Sequence, residues 1–426
     1  MKPDHDVTYG LVGRTLGHSW SPQIHASLGS TPYELIELEP DEVKPFIREG
    51  SWRGLNVTIP YKRVAAEAAD ERSPRVEALG VANTVVRRED GSVYADNTDV
   101  LGFSTMLDDF AREYLGSDAR GAFEGKKALV LGTGGAAQAV SYALRGHAGA
   151  DVAFVSRSGS STYERIEELH GDAALIVNTT PVGMYPNCPA SPLKDGVIER
   201  LTNLEGVLDV VYNPARTGIC QQAERAHLPF ASGLPMLVWQ ALHASALFQG
   251  HELNPSLAST IVSDIRHQTE NVIFIGMPGV GKTTCGRALA RMTRRPFIDL
   301  DDAFSVDAGI SPAAFITTYG ENAFRERETA ILKSYAARSG LVIACGGGVV
   351  TREENYPALH QNGTIVFIDR PLSELSIKGR PLSQTRGVEQ LAAERMDLYH
   401  TWADYAVACT GTPSGDADMV RQLLGL

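Results

Sequence analysis

Residues Gly276-Met277-Pro278-Gly279-Val280-Gly281-Lys282-Thr283 carry the spacing GxxxxGK[ST] between an apolar run, NVIFI, and a helical run, TTCGRALARM. In that setting the glycine turn and the first turn of the helix can aim backbone N–H groups at phosphate. Lys282 can reach the outer phosphates, and the Thr283 hydroxyl can meet Mg2+. Asp299-Leu300-Asp301 closes the run PFID, and carboxylates at the C-terminal edge of a parallel sheet face the ligand crevice. Gly346-Gly347-Gly348 follows LVIAC, where bare backbone can approach a small ligand. Arg325, Arg380 and Arg395 stand in FRERE, GRPL and ERMDLY; singly, each suits a surface ion pair as well as an anion site.

A second set lies earlier in the chain. Gly132-Thr133-Gly134-Gly135-Ala136-Ala137 follows the strand ALVL and opens a helix, like a dinucleotide fingerprint whose last glycine is replaced by Ala137. Alone it fits a plain strand-to-helix turn equally well. The next strand ends in Ser156-Arg157-Ser158, where an NAD site would want an acid for the ribose 2′-hydroxyl; an arginine flanked by hydroxyls suits a 2′-phosphate. In Asn56-Val57-Thr58-Ile59-Pro60-Tyr61-Lys62, the lysine falls at a helix start, where the positive dipole end favours the neutral amine and suits it to proton transfer. A solvated lysine is the commoner fate. Asp96-Asn97-Thr98-Asp99 reads as a helix cap or as part of a site, and Ser19-Trp20-Ser21-Pro22 as a helix start with proline at its first position. His18 and His25 have no metal-ligand partners at suitable spacing and read as structural.

The elements that must hold these residues alternate short β-branched runs with helical patterns, the mark of parallel α/β architecture. The 426 residues exceed what one core supports, so at least two domains are expected. Strand candidates VTYGLV, YELIEL and GLNVTI and a hairpin around Asp90-Gly91 fill the first block. KKALVLG opens a doubly wound block, a helical stretch from about Pro235 to Arg266 packs back on the first, and NVIFIG starts a new domain after the polar junction HQTEN. A net charge of −12 argues against nucleic-acid or anionic-membrane partners, so anionic substrates must be held by local cations. Five cysteines without a CxxC pair suit a reducing cytoplasm, the start MKPDHDVTYG lacks an apolar signal region, and Gly233–Phe248 is too short and polar to span a bilayer.

Taken in order, the motifs resemble two families. Residues 1–268 resemble shikimate dehydrogenase through GHSWSP, NVTIPYK, ANTVV, DNTD, GTGGAA, SRS, NTTPVGM, DVVYNP and GLPMLVWQA. Residues 270–426 resemble shikimate kinase through GMPGVGKTT, DLDD, GENAFRERE, CGGG, GRPL and RMDLY. The resemblance implies a two-lobed dehydrogenase, with a substrate lobe at 1–103 and 240–268 and a Rossmann-like NADP lobe at 104–239, then a P-loop kinase with a central parallel sheet. NADPH would reduce 3-dehydroshikimate to shikimate, and Mg-ATP would phosphorylate shikimate at its 3-hydroxyl.

The resemblance also assigns roles. Ser19 and Ser21 would bind the substrate carboxylate with Tyr212; Thr58, Asn83 and Gln240 would hold ring hydroxyls; Lys62 and Asp99 would be the catalytic pair. Gly132, Gly134, Gly135, Ala136, Arg157 and Ser158 would bind NADP, with Gly233 near the nicotinamide. In the kinase, Gly279, Val280, Gly281 and Lys282 through Thr284 would bind ATP phosphates, with Thr283 and Asp299 on Mg2+. Asp301, Arg325, Gly347, Gly348 and Arg395 would bind shikimate, and Arg380 would close over the phosphates. Two departures stand out: Val100 replaces the usual glycine of NTDG, and only the ten residues Arg370–Gly379 separate the strand TIVFID from Arg380, a short lid. Quinate with NAD, and a kinase module that only binds nucleotide, are the alternatives.

Overall fold

A computed structural model of the chain describes residues 7–17, 19–375 and 387–426. By contact density it divides into two compact units. The first comprises 1–182, 191–213 and 222–264, and the second 183–190, 214–221 and 265–426. The unit boundary therefore does not follow the sequence alone: two short loop segments, 183–190 and 214–221, group with the C-terminal unit. Within that unit the Arg216 guanidinium donates to His360 O at 3.0 Å, and the Ala215 N–H donates to Asn362 Oδ1 at 2.8 Å.

The first unit has two sheets. One takes the order β2-β1-β3-β5-β6-β4, from β1 (Val7–Gly13), β2 (Tyr33–Glu37), β3 (Trp52–Val57), β4 (Glu71–Arg72), β5 (Thr84–Arg87) and β6 (Val93–Asp96). β1 pairs in parallel with β2 and β3, while β5 and β6 form the antiparallel hairpin expected around Gly91. The other sheet is wholly parallel, in the order β11-β10-β9-β7-β8, from β7 (Lys127–Leu131), β8 (Asp151–Val155), β9 (Leu175–Asn178), β10 (Gly206–Asp209) and β11 (Phe230–Ala231). β9 and β10 are buried at every position, as continuous apolar strands covered on both faces should be.

The helix Leu234–Gln249 returns to the first sheet, where Phe248 stacks on Tyr9 of β1 with ring centroids 5.4 Å apart. It also packs closely along the helix Thr98–Leu115, and Gly102 sets that approach. A Cβ at Gly102 would lie 2.7 Å from both Gln240 N and Met236 O, which are backbone atoms of the facing helix. Glycine in a helix interior costs about 1 kcal/mol against alanine; here the closeness of two backbones offsets it.

The second unit is one parallel sheet in the order β13-β14-β12-β15-β16, from β12 (Asn271–Ile275), β13 (Phe297–Asp299), β14 (Val342–Ala344), β15 (Gly363–Asp369) and β16 (Tyr405–Ala408). The helix Lys282–Thr293 follows β12 directly. Among the described residues no helix is long and apolar enough to cross a membrane.

Gly102→Val should force the two helices apart at a cost of about 1–3 kcal/mol. Scanning calorimetry should show the unfolding transition of the first unit several degrees lower and that of the second unit unmoved. An unchanged first transition would mean that the crossing tolerates a side chain.

Candidate active sites

In the first unit the strand ends bring one polar network together. Lys62 is the first residue of the helix Lys62–Ala68, and its Nζ donates to Asp99 Oδ2 at 2.6 Å. Asp99 lies in the first turn of the helix Thr98–Leu115, where an acid is favoured. Asn97 caps that helix, its Oδ1 accepting the Val100 N–H at 3.3 Å, so the DNTD segment both caps the helix and pairs with Lys62. Val100, at the departure from the family pattern, is 4% exposed in the core. Asn83 bridges outward: its amide donates to Asp99 Oδ1 at 2.9 Å and to Thr98 Oγ1 at 3.0 Å, and Gln240 Oε1 lies 3.5 Å away. Behind the network, buried Asp96 accepts from Arg75 at 2.7 Å and from Ser73 at 2.6 Å, which fixes the end of β6 just before Asn97.

Ser19 Oγ donates to Ser21 Oγ at 3.1 Å and accepts the Ser21 N–H at 3.2 Å, just at the start of the helix Ser21–Ser27. Thr58 follows β3 beside Gly13, the last residue of β1. Tyr212 lies past β10, where burial raises its pKa, and no hydrogen bond ties it to the network among the described residues. His25 is buried against the Tyr33 ring at 4.1 Å, and burial lowers its pKa to about 3, a structural setting.

The parallel sheet of this unit carries the dinucleotide candidates. Gly132 follows β7, Gly134 caps the helix Gly135–Gly146, and nothing lies within 4 Å of where a Cβ would stand on Gly134 or Gly135. That open space beside a helix N-terminus fits a pyrophosphate. Ala136 lies in the first turn; Ala137, in place of the last glycine, is fully buried, so a methyl is accommodated at the helix–strand contact. Arg157 and Ser158 lie in the exposed loop after β8, which closes where Ser156 N–H meets Ser161 O at 3.1 Å. Gly233 heads the helix Leu234–Gln249, its N–H on Val211 O at 2.9 Å.

In the second unit a cavity of about 720 Å³ collects the phosphate loop and the polar side chains around it. Gly279 and Gly281 take φ of 87° and 111°, values that side chains resist, so the loop turns its N–H groups inward only with glycine there. Lys282 Nζ donates to Gly276 O at 2.8 Å and Met277 O at 3.0 Å, and Val280 is buried beneath the loop. Thr284 follows in the helix, its hydroxyl on Gly281 O at 2.8 Å. Thr283 Oγ1 donates to Asp299 Oδ2 at 2.7 Å, an oxygen pair of the hard kind that Mg2+ takes alongside phosphate oxygens.

Asp301 opens onto the same cavity, with protein on its other sides. Burial, then the nearby charges of Asp299 and Glu328, push its pKa up to about 6. Arg325 donates to Glu328 at 2.7 Å and reaches Glu321 at 3.3 Å; burial works against its charge, but the two acids outweigh it and its pKa is raised. Gly348 lies against that guanidinium, where a Cβ would be 2.0 Å from Arg325 Nη2. Arg395, 2% exposed, donates to Gly347 O at 3.1 Å, as does the Tyr399 hydroxyl from one turn further on. A Cβ on Gly347 would lie 2.6 Å from Pro278 Cγ, so this loop abuts the phosphate loop. Arg380 and the rest of 376–386, including positions 376–379 of the short lid, lie outside the described residues. Among the described residues no cluster of three or more acidic, histidine or cysteine side chains could hold a metal alone.

Three side chains at these sites escaped the sequence reading. Thr98 sits at the centre of the first network, fully buried. Glu328 and Tyr399 were legible as the i+3 and i+4 partners of Arg325 and Arg395 on shared helix faces.

Comparison with known proteins bears on both units. Shikimate dehydrogenase (NADP(+)) of Clostridium beijerinckii is 34% identical over 275 residues, which span 60% of this chain and 96% of that protein. The chain belongs to the shikimate dehydrogenase family. The shikimate dehydrogenase substrate binding domain matches residues 11–85, and shikimate kinase matches residues 278–424. The C-terminal part is thus a shikimate kinase domain, and the chain is bifunctional. Among solved structures, shikimate 5-dehydrogenase of Thermus thermophilus, in complex with NADP(H) and shikimate, has a TM-score of 0.50 and 31% identity over 61% of this chain and 99% of that one. Quinate dehydrogenase of Corynebacterium glutamicum, in complex with NAD, has a TM-score of 0.52 and 27% identity over 60% of this chain and 99% of that one. The expected α/β class, two-lobed dehydrogenase and P-loop kinase agree with these matches.

Lys62→Ala should abolish dehydrogenase turnover while the substrate dissociation constant changes little, because a proton donor matters most in the transition state. Kinase activity is the internal control for folding. Stopped-flow turnover near the wild-type rate would remove Lys62 from its role. Asp301→Asn should lower the kinase kcat by roughly 10²–10⁴ with the dehydrogenase untouched.

Proposed function

We propose that the chain carries out two consecutive reactions: NADPH-dependent reduction of 3-dehydroshikimate to shikimate, and Mg-ATP-dependent phosphorylation of shikimate to shikimate 3-phosphate. The Lys62–Asp99 contact at 2.6 Å, at the end of a network of amide and hydroxyl groups, carries the first half. NADPH supplies hydride to the carbonyl carbon. Lys62 delivers a proton to the oxygen on which negative charge grows, and Asp99 holds Lys62 and a ring hydroxyl in line. Asn83, Thr58 and Gln240 fix the other hydroxyls, and Ser19 and Ser21, with Tyr212, take the carboxylate. Gly132, Gly134, Gly135 and Ala136 seat the pyrophosphate, Gly233 lies near the nicotinamide, and Arg157 with Ser158 selects the 2′-phosphate.

The second half rests on one cavity that holds Asp301 together with Lys282 and the arginines. Asp301 orients the shikimate 3-hydroxyl and takes its proton as the oxygen attacks the γ-phosphorus. Its raised pKa makes it a better base than an ordinary aspartate. Arg325, Arg395, Gly347 and Gly348 hold the rest of the ring, and Lys282 and Arg380 stabilise charge on the transferring group. Thr283 and, through its pairing with that hydroxyl, Asp299 would hold Mg2+, which would supply charge neutralisation at the phosphates. The domains divide as 1–268 and 270–426, with segments 183–190 and 214–221 exchanging allegiance. All five cysteines are free thiols, which suits a reducing cytoplasm.

A single coupled assay tests the whole reading. Dehydroshikimate, NADPH, Mg2+ and ATP go in, and mass spectrometry looks for shikimate 3-phosphate, with quinate and NAD run in parallel. Shikimate 3-phosphate formed at the expense of NADPH is the expected result; a preference for quinate and NAD would overturn the first half. Arg157→Asp should invert the NADPH/NADH ratio of kcat/KM, since an acid repels a 2′-phosphate and can bind a free 2′-hydroxyl. An unchanged ratio would make Arg157 a bystander.

A further inference from the structure

Arg370 directly follows β15, and none of the roles above uses it. β15 lies beside β12, and the first residue of the phosphate loop sits against it: a Cβ on Gly276 would come within 2.6 Å of Ile368 O. Cys409, just past β16, closes the other flank. Its N–H donates to Asp369 O at 2.9 Å, and its sulfur lies 3.7 Å from Val280 O of the phosphate loop. The Arg370 side chain is 23% exposed and lines the same cavity as Lys282 and Asp301. Its Nε is buried without a hydrogen-bond partner among the described residues, and the Cys409 thiol is hydrogen-bonded to the Arg370 side chain. The Glu374 carboxylate stands 4.0 Å from that atom and is 62% exposed, a weak and well-screened pairing.

Strand order decides what such a cation can meet. Asp301 follows β13, and Gly347 follows β14, both on one side of β12; Arg370 stands on the opposite side, past β15. A γ-phosphate within reach of Asp301 leaves the inner phosphates running back over the loop, toward β15. The other cations of the cavity are engaged by protein acceptors: Arg325 by Glu328, Arg395 by Gly347 O, and Lys282 by two loop carbonyls. We propose that Arg370 is a nucleotide-binding residue that grips the inner phosphates of ATP. The proposal rests on reading this cavity as the kinase site. The planar guanidinium suits phosphate oxygens, and the buried Nε–H gains the acceptor it lacks. Grip at the α-phosphate, whose charge the transfer leaves unchanged, acts on binding and not on the chemical step.

The test uses the full-length chain with Mg2+. Arg370→Ala should raise the KM for ATP roughly 10–100-fold with kcat little changed. By titration calorimetry, inorganic tripolyphosphate should lose affinity by a similar factor, and Arg370→Lys should recover part of both losses. The KM for shikimate and the dehydrogenase rate should not move, a pattern that a merely structural role would not give. An unchanged KM for ATP overturns the proposal. So does a loss for ATP with none for tripolyphosphate, which would put the guanidinium on the base. A wild-type chain that binds neither ATP nor tripolyphosphate would instead bring down the nucleotide reading itself.

Discussion

Parallel strands all leave a sheet at the same edge, and the chemistry of this chain follows from that constraint. In the second sheet, β7 and β8 lead into Gly132 and Ser156; in the third, β12, β13, β14 and β15 lead into the phosphate loop, the Asp299–Asp301 segment, Gly346 and Arg370. The helices Gly135–Gly146 and Lys282–Thr293 begin at those same edges, where their first-turn N–H groups have no acceptor within the helix itself. Side chains remote in sequence converge without any long loop. The mixed first sheet works differently: an antiparallel hairpin brings Asn83, before β5, next to Asn97–Asp99, after β6, so two neighbouring strands supply one polar network.

Charge sets the second condition. The chain carries a net −12, yet dehydroshikimate, shikimate, NADPH and ATP are all anions. Attraction must come from a few cations, and several are held in place by acceptors of their own: Lys62 by Asp99, Arg325 by Glu328 and Glu321, Arg395 by a carbonyl. Such partners fix where each cation stands, so less side-chain freedom is lost when a ligand arrives.

The fold class, the phosphate loop and the order of motifs were plain in the sequence, because glycine turns and apolar strands are local features. The family resemblance grouped Asn83 with Gln240 but not Thr98 between them, since that residue joins positions about 15 and 142 apart through the close packing of two helices at Gly102. DNTD was read as cap or site; the structure shows that the two readings use different atoms, Asn97 for the cap and Asp99 for Lys62. The unit boundary was also beyond sequence reading. Segments 183–190 and 214–221 belong by sequence to one part and by contacts to the other, and nothing in their composition announces it.

The contact between Gly347 and Pro278 gives the kinase a party wall. One face of that wall belongs to the acceptor side, where Arg395 and Tyr399 both hold the Gly347 carbonyl; the other belongs to the loop that wraps phosphate. With no side chain between them, neither loop can shift without displacing the other. Any effect that filling one side has on the other must, by thermodynamic reciprocity, be equal in size in both directions.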